Sequence, residues 1–241
     1  MKIVAIIPAR GGSQRIPGKN IKEFCGKPLI AWTILEALKS KYLDKVLVST
    51  DDNKIAAVSK EFGAEVPFIR PTELSGPAIG IEPILRHGYE WLRDNDDYKA
   101  DILLLLMPTA PLRQTQHIDE AIENFLKSKV DSVVGVNQVP ASHTPYWTLV
   151  KNEAGKVTLF DGSHLKDRIV RSQDFPKKCY CWNDLVYVFK PENLYTLKPN
   201  LYGEVVEFYE TSPLYEMDIN TPEDWNEAEI KFKNLLKIKI R

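Results

Sequence analysis

With 241 residues, 44% of them apolar and 27% charged, the chain has the material for one large α/β domain and too little polarity for a disordered one. A formal net charge of −1 argues against a nucleic-acid binder, which would show an overall basic balance or a long basic face. Three cysteines give neither a disulfide framework nor zinc spacing, and no stretch reads as a signal-peptide core or a bilayer span. These exclusions predict a cytoplasmic protein with neither nucleic-acid nor membrane partners.

Strands and helices alternate through the first half. Residues 4–7 read as a short buried parallel strand. Pro28 is placed at the first position of a helix with Leu29, Trp32, Leu35 and Leu38 on its apolar face. Lys45–Ser49 reads as the second strand, followed by a helix over residues 53–62 that Gly63 stops. Residues 84–92 read as helix and 102–107 as the strongest core strand. A helix starting at Thr115 or Gln116 has Ile118, Ala121, Ile122 and Phe125 on one face, and residues 132–136 form another strand. This rhythm predicts a Rossmann-like, mostly parallel sheet with helices on both faces. One domain over residues 1–241 is expected. From about 140 to 180 the chain is aromatic and proline-punctuated, with a hairpin turn at residues 152–155. That stretch reads as an inserted arm or lid, with a dimerising role as one possibility. Residues 185–189 return to a core strand. A last helix begins with Thr221 as N-cap, Pro222 behind it and Glu223 and Asp224 in the first turn.

In such sheets the ligand lies beyond the carboxyl ends of the strands. The stretch from Pro8 to Asn20 follows the first strand with glycines at 11, 12 and 18, cations at Arg10, Arg15 and Lys19, and no acid. Glycine lets backbone N–H groups approach an anion, and Arg and Lys add charged donors, so the loop suits a nucleoside triphosphate. It has no Gly-Lys-Ser/Thr ending and no Gly-x-Gly-x-x-Gly, which sets it apart from Walker A and dinucleotide loops. Asp51 and Asp52, after the second strand, read best as helix-capping or first-turn residues. The four histidines pair with no motif that would make them bases or ligands.

Pro8-Ala9-Arg10-Gly11-Gly12-Ser13 with Ile16-Pro17-Gly18-Lys19-Asn20 resembles the opening signature of the cytidylyltransferases that activate sialic and related nonulosonic acids. The match continues, in order, through residues 48–52, 70–74, 108–113, 171–176 and 217–224. The resemblance implies transfer of CMP from CTP to the anomeric hydroxyl of an acidic nine-carbon sugar, with Mg²⁺ as cofactor and a homodimer as the assembly. It implies that Ala9, Arg10, Gly11, Gly12, Ser13, Lys19, Asn20 and Arg70 bind nucleotide, and that Arg10, Lys19 and Asp218 carry the chemistry. Thr109, Arg113, Arg171 and Gln173 fall in the acceptor half, where a forked Arg is the natural partner of the sugar carboxylate. Arg171 would then act across the dimer interface. Asp218 stands at the main metal position. Asn220 replaces the second Asp common in the family and reads equally as a metal ligand or a turn residue. Two further departures fall near the acceptor: Met107 where many members carry Gln, and Trp182-Asn183-Asp184 where Pro-Asn-Gly is frequent. Two competing readings stand beside this one: transfer to another acid sugar or from another nucleotide, and, motivated by Asn220 and the altered Trp182 region, a catalytically silent nucleotide-sugar binding subunit.

Overall fold

The computed structural model describes residues 1–239. In chain order the elements are β1 (Ile3–Pro8), β2 (Glu23–Phe24), β3 (Lys27–Pro28), α1 (Leu29–Leu38), β4 (Lys45–Ser49), α2 (Asn53–Glu61), α3 (Ile81–Asn95), β5 (Ile102–Leu105), α4 (Thr115–Lys127), β6 (Ser132–Gln138), β7 (Leu149–Lys151), β8 (Val157–Leu159), β9 (Tyr180–Phe189), β10 (Val206–Glu210) and α5 (Pro222–Lys239). Six strands form one sheet in the order β10-β6-β9-β5-β1-β4. β1 pairs in parallel with β4 and β5, and β10 with β6, while β9 runs antiparallel between β5 and β6. The sheet is therefore mostly parallel, as the alternating rhythm implied.

Both faces are covered, which is why β1, β4 and β5 are apolar without alternation. On one face Ile30, Ile34 and Ala37 of α1, Ile55 of α2, and Ile118, Ala121, Ile122 and Phe125 of α4 pack on Ala5, Ile7, Val48 and Leu104. On the other, Leu85, Tyr89 and Leu92 of α3 pack on Val4, Ile6, Leu47 and Leu103. The face predicted for α1 holds in part: Leu29 is buried and Trp32 packs beside it, but Leu38 is 46% exposed, and the stripe on the sheet runs through Ile30, Ile34 and Ala37. Pro28 precedes the helix, closing the small β2–β3 ladder, rather than opening it.

A third cluster positions the site. Phe24, Leu29 and Ile16 meet Trp225, Phe232 and Ile219, with Phe24 edge-on to both Trp225 and Phe232 at 5.5 and 5.4 Å. It fastens α5 beside the basic loop, two segments some 200 residues apart in sequence. The start of α5 follows its sequence signals. Thr221 Oγ1 accepts from the Asp224 N–H, and Asp224 Oδ2 accepts from the N–H groups of Asn220 and Thr221. The 140–180 segment carries the β7–β8 hairpin, with Leu149, Phe160 and Val170 exposed. No helix among the described residues is long and apolar enough to cross a membrane.

Candidate active site

A cleft of about 410 Å³ opens at the carboxyl ends of β1 and β5. Arg10, Ser13, Arg15, Lys19 and Asn20 form one wall, and Asp218 and Asn220 another. Leu74, Pro77 and Ile79, from the loop between α2 and α3, and Ile81 and Ile84 of α3 give an apolar side. Met107, Thr109 and Asp184 also line it.

The basic loop is shaped by bonds to its neighbours. Asn20, buried, donates from Nδ2 to the Arg10 carbonyl at 3.0 Å and so fixes the loop. Lys19 Nζ donates to the Ile219 carbonyl at 2.7 Å, joining the loop to the segment that carries Asp218. Burial lowers the Lys19 pKa below the ordinary lysine value; Asp218 opposes the shift, and Arg15 and Arg10 add to it.

Gly11 has a structural reason of its own. A Cβ there would stand 2.9 Å from the Asp52 Cβ and 2.7 Å from Asp52 Oδ2. Its N–H donates to Asp51 Oδ1 at 3.0 Å, so this amide is committed within the protein. Neither Gly11, Gly12 nor Ala9 lines the cleft, and Ala9 is buried with its N–H on the Ser49 carbonyl. The Ser13 N–H is likewise engaged, by the Gly11 carbonyl at 2.9 Å, so in place of the expected cradle of three successive backbone amides the cleft has Ser13 and the side chains of Arg10, Arg15 and Lys19 on its lining.

Asp52 caps α2, accepting from the N–H groups of Lys54 and Ile55 at 2.6 and 3.1 Å, which is the capping role expected of it. Asp51 instead links the loop to Arg70, whose Nη2 lies 3.4 Å from Asp51 Oδ1. Arg70 is buried and lines the cleft, with Nη1 on the Ser49 carbonyl at 2.9 Å and Nε on Ser75 Oγ at 3.1 Å. It braces the floor between β4 and the 71–79 loop.

The chain's match to the family model described as cytidylyltransferase runs over residues 4–237 and thus spans every wall of this cleft. The chain belongs to the cytidylyltransferase family. It is therefore a nucleotidyltransferase. It is 33% identical to the pseudaminic acid cytidylyltransferase of Campylobacter jejuni over 219 residues, covering 85% of this chain and 91% of that one. It is 34% identical to the CMP-N,N'-diacetyllegionaminic acid synthase of Legionella pneumophila, covering 93% and 94%. Among solved structures, CMP:2-keto-3-deoxy-manno-octonic acid synthetase complexed with CTP superposes with a TM-score of 0.70 over 97% of this chain and 99% of that one, at 17% identity, a likeness of fold.

Within this cytidylyltransferase, the acceptor-side residues expected from sequence separate. Thr109 lines the cleft, and its carbonyl accepts from the Ile219 N–H at 3.0 Å. Arg113 does not line it. Its side chain is 1% exposed: Nη1 donates to Thr33 Oγ1 at 2.9 Å, Nη2 to the carbonyls of Met107 and Asp184 at 2.8 and 3.1 Å, and Nε to the Leu185 carbonyl. Burial lowers the pKa of its guanidinium, opposed by the charges of Asp184 and Glu36. Buried, with four of its five N–H donors already engaged and no place on the cleft lining, Arg113 is corrected from a partner of the substrate carboxylate to a residue that holds the cleft floor. Arg171 and Gln173 are exposed and away from the cleft lining. Arg171 pairs bidentately with Asp174, at 2.7 and 2.9 Å.

Asp218 and Asn220 share the cleft, and Asn220 Nδ2 donates to Asp218 Oδ2. Sequence reasoning gave Asp184 no role of its own. Burial raises the pKa of its carboxyl; the Tyr187 hydroxyl, donating to Oδ1 at 2.5 Å, opposes this, and the charge of Asp218 adds to it. The one sequence signal was its place in a Gly position of the family pattern, and its φ of 55° is a glycine-like conformation.

Proposed function

We propose that this nucleotidyltransferase moves CMP from CTP to the anomeric hydroxyl of a nonulosonic acid, releasing pyrophosphate. The observation that carries the reading is the gathering, in one cleft, of three cations (Arg10, Arg15, Lys19) with the Asp218 carboxylate. Relatives whose names specify pseudaminic and legionaminic acids support the acceptor class.

The step is an in-line displacement. The sugar oxygen forms a bond to the α-phosphorus, the bond from that phosphorus to the β-phosphate bridge breaks, and the hydroxyl proton passes to solvent. Such a reaction asks the protein for position and for charge neutralisation more than for covalent chemistry. Arg10, Lys19 and Arg15 oppose the charge that grows on the leaving pyrophosphate. Asn20 holds the Arg10 backbone so that the loop need not reorganise as charge develops.

The donor set suits Mg²⁺. Among the described residues no cluster of three or more His, Cys, Asp or Glu could hold a metal alone. Mg²⁺ is commonly held by one or two carboxylates together with substrate phosphates, and Asp218 supplies such a carboxylate facing the cleft. Asp218 is the proposed ligand, with Asn220 orienting it through the side-chain hydrogen bond. When bound, the ion would add positive charge beside the triphosphate.

The exposed apolar side chains of the 140–180 segment favour a homodimeric assembly in which this arm, with Arg171 and Gln173, reaches the partner's cleft. CTP as donor favours a cytoplasmic site of action. Purified protein with CTP, Mg²⁺ and a panel of nonulosonic acids should release pyrophosphate only when an acceptable acid is present. CTP binding without release for any acid would favour the silent binding subunit.

A further inference from the structure

Two side chains that line the cleft have no part in the phosphoryl chemistry above: Met107 and Asp184. Asp184 lies within β9, and Met107 lies two residues beyond the end of β5, the strand that pairs antiparallel with β9 and sets Leu105 opposite Tyr187. Arg113 ties Met107 and Asp184 together, since its Nη2 donates to both carbonyls. Asp184 is further fixed by its left-handed backbone, which Asp tolerates better than most residues, and by the Tyr187 hydroxyl on one carboxyl oxygen. The outcome is a rigid pair, one thioether and one carboxyl, in the cleft floor.

The charges that act on Asp184 are those of Asp218 and the buried Arg113 rather than of the loop cations, so it stands to the side of the triphosphate grip. An ionised carboxylate accepts hydrogen bonds and gives none, whereas a thioether is a weak acceptor and never a donor. A hydroxyl pressed against Met107 would lose water and gain no comparable hydrogen bond in return.

We infer that Met107 and Asp184 together read the acceptor: Asp184 accepts a hydrogen bond from an N–H or O–H of the sugar acid, and Met107 covers an adjacent carbon that bears no hydroxyl. This rests on the cytidylyl-transfer reading and narrows its acceptor to sugar acids in which a donor, such as an acylamino N–H, stands beside a deoxygenated carbon. Arg113 acts here as a positioning residue.

The test is steady-state kinetics of the full chain and of Asp184→Asn, Asp184→Gly and Met107→Gln, against nonulosonic acids that differ in acylamino and deoxy positions. Asn and Gly both accept a φ of 55°, and unchanged CTP binding checks that the variants fold. Both Asp184 variants should raise the acceptor KM about tenfold or more, with the CTP KM within about twofold, as loss of one charged hydrogen bond implies. Met107→Gln should shrink the preference for deoxygenated over hydroxylated acceptors by a similar factor. An unchanged acceptor KM, or a shift in the CTP or Mg²⁺ requirement in its place, would overturn the inference. Wild-type protein that binds CTP yet turns over no acid overturns the transfer reading, and this inference with it.

Discussion

Lys19 joins the two walls of the cleft: its ammonium donates to the Ile219 carbonyl at 2.7 Å, one residue beyond Asp218. The contact keeps a cation of the basic loop beside the carboxylate that opposes it. Removing one preorganised charged donor from a developing anion costs about 3–4 kcal/mol. Lys19→Met should therefore lower kcat/KM by roughly 100- to 1000-fold. The sign of its pH dependence follows from burial. The grip needs the protonated amine, and its pKa lies below the ordinary lysine value. As pH rises, the charge is lost earlier than on a free lysine, so the CTP KM should climb before the usual lysine range is reached. Lys19→Arg should remove that climb; a wild-type KM that stays flat there would count against the role.

Arg113 should behave as a stability residue. Its removal strands the carbonyls of Met107, Asp184 and Leu185 in a buried place, at about 1–3 kcal/mol for each unsatisfied group. Arg113→Met should lower Tm by on the order of 10 °C for a chain of this size. A Tm equal to that of the unaltered protein would contradict this.

The two adjacent glycines should part company. Gly11→Ala forces a Cβ against Asp52 and should destabilise the loop by roughly 1–3 kcal/mol. At Gly12 a Cβ meets nothing within 4 Å, so Gly12→Ala should leave Tm nearly unchanged. Thermal melts of the two variants side by side decide it; equal losses would contradict this division.

Asp218 and Asn220 predict opposite effects on the metal requirement. Asp218→Ala should abolish both activity and its Mg²⁺ dependence. Asn220→Asp adds a carboxylate beside Asp218 and should lower the half-saturating Mg²⁺ concentration. Initial rates across a Mg²⁺ titration measure both. Mg²⁺-dependent turnover retained in Asp218→Ala would place the ion elsewhere.

Much of this architecture is legible in the sequence because burial on both faces leaves continuous apolar runs. β4 spans the expected Lys45–Ser49, and the four α4 residues expected to face inward are all buried. β10 went unread because it is an edge strand: Val206 and Phe208 are exposed and only Tyr209 is buried, so no inward-facing alternation marks it. The first half of β9 hid for the same reason, with Cys181 and Trp182 facing outward. In the site, the loop cations could be read because positive charge concentrated among glycines at a strand end has few structural explanations, whereas Asp218 could be read only through the resemblance of the 217–224 stretch to the family pattern. Arg113 could not, since its burial depends on carbonyls contributed by residues about 70 positions away. Asp184 left only one trace, its place in a Gly position of the family pattern, which fits its left-handed backbone but says nothing of its bond to Tyr187.

The central claim is tested most directly by identifying the product. Phosphorus NMR of the protein incubated with CTP, Mg²⁺ and an acylamino-bearing, deoxygenated nonulosonic acid should show a new phosphodiester resonance, equimolar with pyrophosphate and absent when the acid is left out. Phosphate or CDP in place of pyrophosphate, or CTP left intact with every acid despite measurable binding, would contradict it.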